Sequence, residues 1–274
     1  RSTDGGRNWK FVQQPFTLAR NDRPLAMDRQ DPERIFVGYQ DIHVSGDFGE
    51  TWSRLTRFAE TQRIHTNDRL AAIAVAPSDG NIMYAAYGEP HWSDMPSGKL
   101  FRSKDRGQSW VDISSSFPGC RWAGLTDITV SPQDPDRIWA SVDGFWEDGS
   151  GTRYKVFSSR DGGESWENIS EGLPNLPVNK LLVLSRHQRL IAGTDAGVWS
   201  LSLRSGRWEP WDDGMPRTLV SDLETDPGES RLLASTFGRG LYSLDLPAVD
   251  QDKVRRGRDR KGWLRIFRKQ EDPR

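Results

Sequence analysis

Apolar residues in this chain come in short alternating runs between turn residues, and the runs follow one repeating order. An alternating run (LAAIAV at 70–75, LTDITV at 125–130, NKLLVL at 179–184, VSDLET at 220–225) leads into a turn with Pro, Asp or Gly (APSDGN, SPQDPDR, TDPGES). A second run follows: RIFVGY at 34–39, NIMYAAY at 81–87, RIWASV at 137–142, RLIAGT at 189–194 and RLLAST at 231–236. After a loop of variable length comes a third: DIHVS at 41–45, KLFRS at 99–103, YKVFS at 154–158, GVWSL at 197–201 and GLYSL at 240–244. A fourth opens at a Trp: TWSRL at 51–55, SWVDI at 109–113, SWENI at 165–169 and RWEPW at 207–211. Period-two alternation bounded by Gly, Pro and Asp reads as strands, not helices. Four short strands per repeat is the pattern of a propeller blade. The expected fold is therefore an all-β propeller of four-stranded antiparallel blades, with about five blades visible.

The third and fourth runs are joined by a motif that recurs nearly intact. It reads STDGGRNW at 2–9, SGDFGETW at 45–52, SKDRGQSW at 103–110 and SRDGGESW at 159–166, with a degenerate fifth copy ending at Trp208. The common form is Ser-x-Asp-x-Gly-x-x-Trp, and a folding role accounts for each position. Gly6, Gly49, Gly107 and Gly163 can adopt the positive φ that a tight hairpin turn needs. The carboxylates of Asp4, Asp47, Asp105 and Asp161, with the hydroxyls of Ser2, Ser45, Ser103 and Ser159, can accept backbone N–H bonds inside the turn. Trp9, Trp52, Trp110 and Trp166 are expected to lay large rings across the sheet and lock each hairpin to its blade.

These boxes resemble the Asp-box (BNR) repeats of sialidases, sortilin-like receptors and xyloglucan-active glycoside hydrolases. The segments DGGESWENISEGLPNLPVNKLLVL, AGTDAGVWS and LLASTFGRGLYSLDL are similar to the final blades of bacterial exported proteins built from such repeats. The resemblance covers residues 1–247 and implies the propeller fold and an exported, carbohydrate-related or scaffolding protein. It does not choose among enzymes, receptors and scaffolds, which share the architecture.

Composition adds boundaries. With 12 Trp, 26 Gly and 4 Met, the chain suits many strands and tight turns. A single cysteine, Cys120, excludes a disulfide within the chain. Charge divides it: residues 253–274 hold ten Lys/Arg against three acids, leaving an acidic body before them. The expected organisation is a propeller over 1–247 and a basic tail over 248–274, disordered or peripheral. The tail reads either as a solvated extension or as a weak contact for an acidic surface, with Trp263, Leu264, Ile266 and Phe267 beneath a basic belt. Because Ser2 and Ser243 each begin a box, the first box is expected to belong to a truncated blade of a larger propeller. Residues 8–14 are expected to pair with the strand at 240–246.

Candidate chemistry is expected in the variable loops, which the resemblance places on the face opposite the boxes. Trp92 and Trp146 stand beside acids there and suit a sugar platform, with Asp94, Glu147, Arg121 and Arg239 as further ligand-binding candidates. The competing reading is that these loops pack on one another. A glycosidase would need two facing carboxylates, for which Asp41, Glu89 and Asp148 are the candidates. The Phe/Tyr-Arg-Ile-Pro motif of sialidases is missing, and the xyloglucan enzymes use two propellers where this chain offers one. The four histidines, His43, His65, His91 and His187, lack metal-ligand spacing, so no metal or cofactor is expected. Nucleic acid is not expected as a partner, because the body is acidic and its loops do not interleave aromatics with Lys/Arg. The expectation is a noncatalytic module binding a polysaccharide or protein on its loop face. The alternative is a sialidase-like or xyloglucanase-like glycoside hydrolase.

Overall fold

A computed structural model of the chain describes residues 1–12, 24–62, 69–88, 98–118, 124–143, 154–211, 214–248 and 264–265. The chain is an all-β propeller of five four-stranded antiparallel blades. Blade one contains β1 (Leu25–Met27), β2 (Ile35–Gly38), β3 (Ile42–Ser45) and β4 (Ser53–Arg54). Blade two contains β5 (Leu70–Val75), β6 (Met83–Tyr87), β7 (Lys99–Ser103) and β8 (Val111–Asp112). Blade three contains β9 (Leu125–Val130), β10 (Ile138–Val142), β11 (Val156–Ser159) and β12 (Glu167–Asn168). Blade four contains β13 (Val178–Leu184), β14 (Arg189–Thr194), β15 (Gly197–Ser202) and β16 (Trp208–Pro210). Blade five contains β17 (Val220–Thr225), β18 (Arg231–Thr236), β19 (Gly240–Asp245) and β20 (Leu264–Arg265). Two compact units result, Arg1–Ile138 with Ser159–Trp166, and Trp139–Ser158 with Glu167–Arg274.

Each unit has its own core. In the first, Phe36, Ile42, Leu70, Met83, Tyr87 and Phe101 are buried together around Phe58. The second has one cluster around Trp139, Leu181 and Trp208 and another around Ile191, Leu223 and Tyr242. The inner strands approach closely enough to dictate residue size. A Cβ on Gly38 would lie 3.0 Å from Leu70, and one on Gly193 would lie 2.8 Å from Val220. Both glycines lie in the last two positions of a blade's second strand, where the next blade's first strand packs, so a side chain there would push two blades apart.

The four boxes share one hydrogen-bond network. The Ser hydroxyl donates to the Asp carboxylate at 2.7–2.8 Å and accepts the box Gly N–H at 2.7–2.8 Å. The same carboxylate accepts the N–H of Asn8, Thr51, Ser109 or Ser165 at 2.8–2.9 Å. The side chains of those four residues bond its other oxygen. Two residues in a row are left-handed in each box, and Phe48 (φ 57°) and Arg106 (φ 61°) take the first of these positions without being glycine. That conformation costs an L-residue about 1–2 kcal/mol, so the network must hold it. Accepting several donors depresses the box carboxylates. Asn8 holds Asp4 at about 2, and the hydroxyls of Thr51 and Ser165 hold Asp47 and Asp161 at about 2.

In three of the boxes the indole closes its own turn, Trp9, Trp110 and Trp166 donating to the Gly carbonyl at 2.9, 2.9 and 3.2 Å. Trp110 also packs against the core of the first unit, and Trp166 meets Phe117 edge-on. Trp52, Trp110 and Trp166 are half-buried, and Trp9 is 75% exposed. The outer strands are short, two or three residues each. Beyond them a hydroxyl four residues after the Trp takes over the ladder. Thr56, Ser114 and Ser170 accept the N–H of Ile42, Leu100 and Val156 at 2.9, 2.9 and 3.0 Å.

The N-terminal segment departs from expectation. Arg1 and Lys10 bond Glu50 at 2.5 and 2.7 Å, and Val12 lies over Gly49, so the first box seats on the second. The edge at 240–246, predicted to receive residues 8–14, is paired instead by β20, with Tyr242 opposite Arg265 and Ser243 opposite Leu264. An outer strand therefore comes from within the basic tail, because the edge of β19 offers backbone groups that must find partners.

Candidate functional site

Of the loop-face candidates, Asp41 and Arg239 lie among the described residues. Glu89, Trp92, Asp94, Arg121, Trp146, Glu147 and Asp148 fall outside them. The two that are described have opposite environments.

Asp41 sits in the connection between β2 and β3 and is 7% exposed. One carboxylate oxygen accepts the Phe58 N–H at 2.6 Å and the Thr56 hydroxyl at 3.1 Å; the other accepts Arg54 Nη2 at 2.7 Å. Arg54 extends the chain to Glu60 at 2.8 Å. These bonds hold the segment leaving β4, whose Phe58 ring stacks on Phe101 at 4.5 Å and meets Trp110 edge-on at 5.4 Å. Asp41 is thus a strut between a loop and the core. An acid or base in hydrolysis must be free to exchange a proton with substrate, and this carboxylate is spoken for by three donors.

Arg239 occupies the hairpin between β18 and β19 and is exposed, two residues from Phe237, which is 79% exposed. The hairpin is held from beneath. Phe237 N–H donates to the Leu219 carbonyl at 3.0 Å, and the Thr236 hydroxyl donates to the Gly240 carbonyl at 2.6 Å. Gly238 (φ 75°) and Gly240 (φ 85°) make the turn that presents both side chains. On the same end of this unit, Lys180 reaches Asp222 at 3.6 Å, and Asn179 donates to Asp195 at 2.9 Å and to the Val220 carbonyl at 3.2 Å. An exposed aromatic face beside a guanidinium and a set of amide, ammonium and carboxylate groups can cover an apolar sugar face and bond its hydroxyls. Phe237 escaped the sequence reading, although a lone aromatic between Thr236 and Gly238 in a tight turn has no core to enter. The Lys180–Asp222 pair was hidden because alternation along one strand does not say which residue of another strand it will meet.

Residues 40–191 match the family described as Sortilin-Vps10 (sortilin, neurotensin receptor 3). The chain is also similar to xyloglucanase Xgh74A of Acetivibrio thermocellus, 23% identical over 323 residues that take in 89% of this chain and 36% of the relative. A xyloglucanase of Paenibacillus sp is 21% identical over 89% of this chain and 30% of its own length. Among solved structures, the GH74 xyloglucanase from Xanthomonas campestris superposes with a TM-score of 0.60 at 19% identity, covering 89% of this chain and 38% of that one. The chain spans about a third of the length of these relatives.

Proposed function

Because this chain belongs to the Sortilin-Vps10 family, we propose that it is a noncatalytic propeller module whose loop face recognises a glycan of the xyloglucan class. The observation that carries this reading is the 237–240 hairpin, where exposed Phe237 stands beside exposed Arg239 on a turn fixed by backbone bonds. A flat ring with little conformational freedom to lose is what a pyranose face selects. The ligand class is taken from the xyloglucanases to which the chain is similar. Trp92, Trp146, Asp94, Glu147 and Arg121 stay in this reading as sugar-binding candidates on loops outside the described residues. Polymeric glycans of this kind are met outside the cytoplasm, so the reading includes export of the protein.

A second reading has one observation in its favour, namely that those relatives are hydrolases. In it Glu89 and Asp148 are the working carboxylates, since Asp41 is occupied structurally. Affinity electrophoresis in gels containing xyloglucan, paired with an assay for released reducing ends, separates the two. Retardation without release, lost in Phe237→Ala with the melting temperature unchanged, is the expected result. Release abolished by Glu89→Gln or Asp148→Asn would establish the hydrolase instead. If the parent chain shows neither retardation nor release, xyloglucan recognition is wrong.

A further inference from the structure

The turn between β15 and β16 stands where a fifth box belongs, and one difference from the box is a reversal of charge. It reads Ser202-Leu203-Arg204-Ser205-Gly206-Arg207-Trp208, so Arg204 occupies the Asp position. Ser202 takes over as local acceptor: its hydroxyl receives the N–H groups of Arg204 and Ser205, both at 3.3 Å. Its carbonyl accepts the Gly206 N–H at 2.8 Å. The turn therefore closes without a carboxylate, and the Arg204 side chain is exposed and makes no bond within it.

A second arginine is fixed nearby by an unusual carboxylate. Glu229, in the turn between β17 and β18, holds a left-handed backbone (φ 50°) and is buried. Its two oxygens accept the Ser185 N–H and hydroxyl at 2.9 and 2.7 Å and the Arg186 N–H at 2.9 Å. The backbone carrying Arg186 is thereby locked, while the guanidinium stays exposed. Arg186 and Arg204 border one cleft of ≈910 Å³, whose other wall is Leu246, Pro247 and Ala248. Neither guanidinium has a side-chain partner among the described residues.

We infer that this cleft, on the box-turn side of blades four and five, binds an acidic peptide segment. Its carboxylates would meet Arg186 and Arg204, and an apolar side chain would lie against Leu246–Ala248. Guanidinium forks match carboxylates in a planar two-bond geometry, and their supporting turns hold them ready. The described residues that line the cleft are charged, polar or aliphatic, whereas a sugar ring is met by a flat aromatic platform. The ligand differs in class and face from the glycan of the loop side.

Fluorescence anisotropy tests this on the full chain, with a fluorescein-labelled peptide of alternating Glu and Leu, its Gln/Leu counterpart, and an oligoglucuronate as competitor. The Glu/Leu peptide is expected to bind, and the Gln/Leu peptide to bind at least about tenfold more weakly. R186Q and R204Q should each weaken binding by about tenfold, and R204D should abolish it. R204D restores the residue type of the intact boxes, so it keeps the test decisive if R186Q folds poorly; melting temperatures are read alongside. Unchanged affinity in R204D and R204Q overturns the proposal and assigns any binding to the basic tail. Equal binding of both peptides, or binding of oligoglucuronate alone, overturns it as well.

Discussion

The intact box at 159–166 and the altered turn at 202–208 solve one problem, reversing the chain between third and fourth strands, by opposite means. In the intact box, the Ser159 hydroxyl accepts the Gly163 N–H at 2.8 Å and the Asp161 carboxylate accepts the Ser165 N–H at 2.9 Å, and Trp166 stays half-buried against Phe117, with ring centroids 4.9 Å apart. In the altered turn the carboxylate is gone and the remaining hydroxyl bonds are long, at 3.3 Å. There Trp208 is 3% exposed, packed into the second unit's core, and its indole N–H reaches the Ile169 carbonyl at 2.7 Å. A turn can thus be held by local polar bonds or by burying its Trp. Where burial does the holding, the Asp position is released for other chemistry, and here it carries Arg204.

The largest break in this comparison is expected at Trp208. Trp208→Ala should cost about 3–5 kcal/mol, since it empties a buried aromatic site and strands the Ile169 carbonyl. Trp166→Ala, at a half-buried ring, should cost clearly less. Urea denaturation of both variants measures the gap, and equal losses would mean that burial does not distinguish the two turns.

The hydroxyls should rank the other way. Ser159→Ala leaves the buried Gly163 N–H without an acceptor and should cost about 1–3 kcal/mol. Ser202→Ala, losing only long bonds at an exposed turn, should cost under about 1 kcal/mol. Chemical denaturation that places Ser202→Ala above Ser159→Ala would reverse our account of what closes each turn.

Acid should act on the intact boxes and not on the turn at 202–208, which has no carboxylate. Asp4, Asp47 and Asp161 are held at about 2, below the ordinary 3.8, so their charged forms favour the folded state. Their contribution is complete above about pH 4 and is lost as pH falls through about 2. Ser109 depresses Asp105 in the same direction. Indole fluorescence and circular dichroism between pH 5 and 2 should show the first unit, which holds all four boxes, loosening over that window. Asp161→Asn should flatten the part of this dependence that arises at its turn.

The smallest effect is expected at Arg204. Arg204→Ala removes an exposed side chain with no described partner and should leave stability within about 0.5 kcal/mol of the parent. A larger loss in a thermal melt would show that the arginine closes the turn, and the contrast with the box Asp would collapse.

The fold was legible in the sequence because its signals are local. Alternation over five or six residues, Gly at left-handed positions and the Ser-x-Asp-x-Gly-x-x-Trp spacing each act within a single hairpin. The hydroxyl at Thr56, Ser114 and Ser170 was also within reach, four residues past each Trp, but it gains meaning only beside the strand it serves. What the sequence by itself determined is the repeated blade and the chemistry of its turns. The tertiary structure alone decided which of those turns buries its Trp. It also decided that Asp41 is a strut with three donors, and that β19 takes its partner from within the tail. Only the fold could put Glu229 of one blade on the backbone that carries Arg186 of another. Such facts depend on contacts between residues tens of positions apart, and neither spacing nor alternation along the chain encodes which distant groups will meet.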